Sequence, residues 1–279
     1  MNIWYAFCDM LRIDMLQWDF MKNALLAILL MAPLFGICST MIVTGRMSFF
    51  SDALGHAAFT GIAIGSICGI ASPTWVAVLF AILFSALFSY VRFKSNQAAD
   101  TIIGVFSSTA VALGVFIATL DGGSFTKYNR YLIGDILSIT PGQIGLLLIT
   151  LVGVCVFWAL ASNKLMLSTV YPQLASSRGI HTAWYQGLFS AMIAAVVTLS
   201  ISWVGLLIIN SLLVLPAASA RSISRNLRQY HIFSVLFAFI AGIGGLILSY
   251  SFGVSTGAAI CLIMAVIFAI CFCFRKVCK

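Results

Sequence analysis

Apolar residues arrive along this chain in long runs, and polar residues are confined mostly to short gaps between them. The runs fall near 23–44, 49–70, 74–91, 101–120, 142–162, 184–201, 203–220, 231–250 and 254–274. Each approaches the ~20 helical residues needed to cross a hydrocarbon core about 30 Å thick. A bilayer interior offers no water to backbone N–H and C=O groups, so segments of this kind satisfy them internally as helices. The pattern predicts an all-α integral membrane protein, a polytopic bundle of eight to ten transmembrane helices. The runs ending and starting around Ile201-Ser-Trp-Val204 are expected to meet there in a very tight turn. The gaps leave no room for a sizeable soluble domain, so residues 1–279 read as one transmembrane domain.

Three stretches break the rhythm. Residues 1–20 mix Trp4, Tyr5, Phe7, Leu11 and Trp18 with Asp9, Asp14 and Asp19 and lack a basic start. They read as an interfacial amphipathic segment leading into the first span, not as a cleavable signal. The gap from Asp121 to Pro141 opens with Gly122-Gly123 and carries Tyr128-Asn-Arg-Tyr131. It either docks a partner or caps a pore from outside, or lies at the interface as a surface helix. The gap at 163–182 contains a predicted short helix, opened by Pro172 and closed by Gly179. It either presses on a soluble partner or is an ordered connector. In the second run, Gly55, Gly61, Gly65 and Gly69 form a small-residue stripe suited to close helix approach.

Composition reinforces the membrane reading: 62% of residues are hydrophobic, 8% are charged and the mean hydropathy is +1.11. Charge placement adds orientation. With the C-terminus in the cytoplasm, eleven basic residues, among them Arg46, Arg92, Lys94, Arg178 and Arg221, fall in inside segments; Arg12, Lys22, Lys127 and Arg130 fall outside. That asymmetry satisfies the positive-inside rule. The net charge of +8 is therefore a topology signal, and the scattered basic residues form no groove for nucleic acid. The eight cysteines lack a disulfide framework and any Cys-x-x-Cys spacing.

Candidate chemistry concentrates in Ser51-Asp-Ala-Leu-Gly-His56. Four residues apart on a helix, Asp52 and His56 share one face. Ionisable groups within a span usually mark an ion or substrate path, and carboxylate plus imidazole suits Zn2+, Mn2+ or Fe2+. Two ligands do not close a site, but a two-fold pair of chains would supply four. The structural alternative has Asp52 capping the first turn and His56 bonded to a neighbouring helix. Arg46 places the pair only a turn or two inside the cytoplasmic surface. Farther on, Asn210 and Ser211 precede Pro216 in the seventh run. They either support a proline kink or line a pathway. No phosphate-binding loop and no hydrolase pattern occurs, so the chain is not expected to be an enzyme and any ATP must bind another chain.

Three ordered motifs carry a resemblance: Arg46-Met-Ser-Phe-Phe-Ser-Asp-Ala-Leu-Gly-His-Ala-Ala-Phe-Thr-Gly61, Tyr131-Leu-Ile-Gly-Asp-Ile-Leu137 and Val204-Gly-Leu-Leu-Ile-Ile-Asn-Ser-Leu-Leu-Val-Leu-Pro-Ala-Ala-Ser-Ala-Arg221. They resemble the permease subunits of bacterial ABC importers for zinc, manganese and iron, over about residues 20–275. The resemblance implies a multi-pass protein of the bacterial inner membrane that pairs with a second copy or a paralogue. It implies as partners two cytoplasmic ATP-binding subunits and an extracytoplasmic metal-binding protein. It implies a transported divalent metal ion, Zn2+ foremost, and no permanently bound cofactor. Asp52 and His56 match the acid and histidine associated with the family's metal path. The ATPase-coupling helix would fall on Gln173, Leu174, Ala175, Arg178 and Gly179. The chain departs from the family pattern at Val170-Tyr171-Pro172, where an acid is usual, and at Thr60, where proline or leucine is common. The rival within transport is a proton-coupled secondary metal carrier working through Asp52. An intramembrane enzyme using Asp52 and His56 lacks a nucleophile in the same span.

Overall fold

The computed structural model describes residues 14–70, 72–95, 97–120 and 135–278, together with Trp4, Tyr5 and Cys8. Among the described residues, ten α-helices follow a short 3-10 turn at Asp14–Gln17: α1 (Asp19–Thr44), α2 (Phe50–Ile67), α3 (Pro73–Lys94), α4 (Ala99–Leu120), α5 (Pro141–Val170), α6 (Pro172–Ser177), α7 (Thr182–Val204), α8 (Leu206–Ile223), α9 (Leu227–Phe252) and α10 (Thr256–Cys278). A second 3-10 turn, Ile136–Ser138, precedes α5. There is no strand among the described residues. Nine helices correspond to the nine apolar runs, and eight are long and apolar enough to cross a bilayer. Residues 121–134 of the long outside segment, and most of the first thirteen residues, lie outside the described residues.

The exception among the nine is α2. Asp52, His56 and its glycines dilute its apolar character, yet 13 of its 18 residues are buried. Ionisable groups at membrane depth are costly, and burial of the helix around them limits how much of it meets lipid.

The chain divides into two compact units. One comprises residues 1–40, 135–153 and 203–279, and within it α8, α9 and α10 pack mutually. Buried polar groups tie α1 to this unit. The Ser234 hydroxyl donates to Gly36 O at 2.7 Å, the Tyr230 hydroxyl to Thr40 O at 3.3 Å, and the Ala217 N–H to Ser39 Oγ at 3.2 Å. Without a hydrophobic drive between helices in lipid, such bonds and small-residue contacts hold neighbours together. Ala217 directly follows Pro216, which breaks the regular ladder of α8. Ser211 and Ser219 bond carbonyls of their own helix, at Leu207, Ile208 and Leu215. The group that reaches the proline-broken turn from outside is Ser39, to which the sequence pattern gave no role. At the start of α1, the Trp4 indole donates to Lys22 O and the Tyr5 hydroxyl to Asn23 Oδ1, pinning the aromatic N-terminal segment to the span it precedes.

The other unit comprises residues 41–134 and 154–202, with α2 packed against both α3 and α4. The glycine stripe of α2 works as expected at two positions. A Cβ on Gly61 would lie 2.5 Å from Ala77 Cα, and one on Gly65 would lie 3.1 Å from Pro73 Cα. Gly69 serves differently: it sits past the helix end with positive φ, as a cap.

The tight turn between α7 and α8 is not at Ile201-Ser-Trp-Val204. Helix α7 runs on through Val204, and the chain turns at Gly205 with φ 87° and ψ 154°. That conformation is open almost only to glycine. An apolar run on both sides hid it, because hydropathy does not register backbone freedom.

Gly61→Ala is expected to lower stability by about 2 kcal/mol, because the methyl meets the α3 backbone and not a yielding side chain. The check is the thermal unfolding midpoint of the detergent-solubilised variant, with Gly104→Ala, in open space on α4, as a comparison expected to hold or raise the midpoint.

Candidate metal-path site

From Phe50 to Ala63 every residue of α2 is buried except Asp52 and His56. Their side chains are 46% and 29% exposed, and His56 Nε2 lies 3.5 Å from Asp52 Oδ2. The i, i+4 spacing puts the pair on the one stripe of the helix that neighbouring helices leave open. Asp52 also sits in the first turn of α2, where a carboxylate is favoured by the helix dipole. The N-cap is Phe49, whose side chain makes no capping bond. No third His, Cys, Asp or Glu joins the pair among the described residues. The arrangement is a pair of candidate ligands, open on one side.

The turn that launches α2 is specified in detail. Helix α1 closes with Arg46 N–H on Val43 O at 3.3 Å and Met47 N–H on Ile42 O at 2.9 Å. This is the two-bond Schellman closure, and its left-handed position is held by Arg46, at φ 54°. A non-glycine residue there costs about 1–2 kcal/mol. Arg92, near the end of α3, braces the same turn: Nη2 donates to Gly45 O at 3.0 Å and Nη1 contacts Met47 Sδ at 2.9 Å. Beyond the turn, Phe50 stacks on Phe88 with centroids 4.6 Å apart, and Phe88 meets Phe106 edge to face. Helices α3 and α4 therefore both fix the first turn of α2 beside Asp52. Sequence reading counted Arg92 only as a topology charge; its position opposite Gly45 is a tertiary fact.

One turn past His56, the buried Thr60 hydroxyl lies 2.7 Å from Ala110 O on α4 and 3.1 Å from His56 O. Gly114 makes room beside it, since a Cβ there would fall 2.7 Å from Thr60 Oγ1 and 2.5 Å from the Phe59 ring. The departure from the family pattern at Thr60 thus has a structural account: an interhelical hydrogen bond at the inner end of the open stripe.

The other expected site residues are placed as follows. Asn210 and Ser211 lie on α8, in the first unit; Ser211 is buried with its hydroxyl on its own helix, and Asn210 is half-buried. The predicted short helix exists as α6, with Pro172 in its first turn. It closes with a second Schellman pair, Gly179 N–H on Ser176 O and Ile180 N–H on Ala175 O, and Gly179 has φ 71°. Ala175 is buried, whereas Gln173, Leu174, Arg178 and Gly179 are exposed. The flanking helices are cross-linked close by, with Gln186 Nε2 donating to Ser168 O at 3.1 Å and Lys164 Nζ 5.5 Å from the Tyr185 ring centre. At 30 residues, α5 is about 45 Å long, more than a hydrocarbon core requires.

A polytopic helical fold with an acid–imidazole pair on a shielded helix has relatives. Residues 17–275 match the family described as the ABC 3 transport family. The chain belongs to that family. It is 30% identical over 256 residues to the manganese import system permease protein ScaB of Streptococcus parasanguinis, covering 92% of this chain and 91% of that one. It is 28% identical over 246 residues to the high-affinity zinc uptake system membrane protein ZnuB of Haemophilus influenzae, covering 87% and 91%. Among solved structures, PsaBC from Streptococcus pneumoniae in complex with Fab is similar, with a TM-score of 0.79, 26% identity, and coverage of 98% of this chain and 95% of that one.

Arg92→Met is expected to lower stability by about 2 kcal/mol, the scale of hydrogen bonds from a charged donor. Arg92→Lys should recover only part of it, because one ammonium cannot reproduce the fork that spans Gly45 O and Met47 Sδ. Unfolding midpoints of the two variants test this, and equal midpoints for wild type and Arg92→Met would remove the brace.

Proposed function

We propose that this chain is the membrane-spanning permease of an ATP-driven importer of divalent transition-metal ions. The observation that carries the reading is the open stripe of α2, where Asp52 and His56 alone break the buried surface between Phe50 and Ala63. A partly dehydrated cation needs ligands that hold it briefly and release it, and two weak ligands on an accessible stripe meet that need. Paired with a second copy or a paralogue, the stripe would present two carboxylates and two imidazoles, a tetrahedral set that favours Zn2+. Mn2+ takes the same ligand types, and the named activities of ScaB and ZnuB make both ions arms of the test.

In this reading the chain performs no ATP chemistry. Two cytoplasmic ATP-binding subunits press on the exposed face of α6, and Gln173, Leu174, Arg178 and Gly179 transmit the stroke while Ala175 anchors the helix to the bundle. An extracytoplasmic metal-binding protein delivers the ion from the opposite side. Asn210 and Ser211 contribute polar lining to the pathway. The C-terminus lies in the cytoplasm of a bacterial cell whose inner membrane holds the protein, as the asymmetry of basic residues supports.

The decisive experiment is elemental analysis of metal-starved cells that express the chain with its ATPase and binding protein. At equal membrane abundance, Asp52→Ala and His56→Ala are each expected to cut accumulation of one metal at least tenfold. Undiminished uptake by both variants would sink the role given to the pair. Uptake into vesicles that lack the ATPase would instead favour the proton-coupled carrier. For the coupling face, Leu174→Asp is expected to reduce ATP-dependent uptake at least fivefold without lowering membrane abundance, because the side chain is exposed and its loss leaves the bundle intact.

A further inference from the structure

Helices α3 and α7 diverge around a groove of about 850 Å3 near the C-terminal end of α3 and the N-terminal end of α7. The helices touch at its floor, where a Cβ on Gly187 would sit 3.8 Å from Ser89 Cβ. Tyr90 and Phe93 form one wall, Trp184 and Leu188 the other, and Lys94 and His181 line the mouth. From Ala86 to Lys94 the trough follows about 12 Å of helix, close to the hydrocarbon depth of one leaflet.

We propose that this groove binds one anionic phospholipid, with an acyl chain along the trough and the phosphate at Lys94 and His181. Three features select that occupant. The trough is apolar along its length, but its mouth carries an ammonium and an imidazole, which are the groups that recognise a phosphodiester. Lys94 Nζ is held 4.9 Å from the Tyr90 ring centre, so the charge is kept at the mouth. Tyr90 and Trp184 are 58% and 72% exposed, and amphipathic rings so placed mark the headgroup level of a bilayer. Basic pockets between spans on the cytoplasmic side are suited to anionic headgroups. A helix from a second copy laid in the groove would put apolar side chains against Lys94 and His181. A phospholipid supplies an anion at one end and hydrocarbon along the rest. The inference is independent of which ion is transported.

Quenching of Trp184 fluorescence tests it. The detergent-solubilised full chain is titrated with dibrominated phosphatidylglycerol or dibrominated phosphatidylcholine, and Trp184→Phe isolates this indole from the six present. Expected are saturable quenching by the glycerol lipid at several-fold lower concentration than the choline lipid, and an apparent Kd about fivefold weaker in Lys94→Gln but not in Lys94→Arg. Ala86→Phe, an exposed position in the trough, should abolish the saturable component for both lipids while leaving the chain monodisperse. Equal quenching by the two lipids with no effect of Lys94→Gln would make the groove ordinary annular lipid and overturn the proposal. So would displacement of the bound lipid by inorganic phosphate alone, or a dimer in which no lipid reaches Trp184.

Discussion

Exclusion of water from the hydrocarbon layer is the constraint on which the rest of this structure depends. It forces every long segment into a helix, because unpaired backbone groups have no other partner at that depth. It also decides where a polar helix can go. Helix α2 carries an acid and a histidine one turn apart, and with α3 and α4 packed against it every other residue from Phe50 to Ala63 is buried. Burial of α2 and exposure of its ionisable pair are two sides of one desolvation balance.

Close approach makes that wrapping possible, and the contacts are of two kinds. At Gly61 and Gly114 the absence of a side chain lets backbone or ring approach to a distance no Cβ would permit. At Thr60 a short polar side chain finds a partner on another helix and satisfies itself in the same step, as Ser234, Tyr230 and Ser39 do within the first unit. Arg92 combines charge with geometry: it braces the strained Arg46 turn, and through it the first turn of α2. The proposed ion site would gain from this arrangement, since Asp52 and His56 sit on a fixed helix while their outer side remains accessible.

Much of the architecture was legible because membrane helices announce themselves by composition. The nine runs became nine helices, and Pro172 with Gly179 bounded α6 closely, since proline and a left-handed glycine act locally. The Asp52–His56 pair was legible for the same reason: i, i+4 spacing is a property of one helix. Gly205 was missed although its signal was in plain view, because a glycine within an apolar run reads as continuation. Ser39 and Arg92 carried no signal at all. A serine in a span and an arginine at its end are ordinary, and only the residue opposite gives either a role.

By itself, then, the sequence determined what depends on local chemistry: the helices, the bounds of α6, and the face shared by Asp52 and His56. Tertiary structure alone decided which of those helices is shielded from lipid, which stripe of it stays open, and which distant side chains hold it there. The physical reason is that hydropathy and helix periodicity are sums over neighbours in the chain. Burial and interhelical hydrogen bonds depend instead on partners such as Gly45 and Arg92, or Gly36 and Ser234, that meet only when the bundle closes.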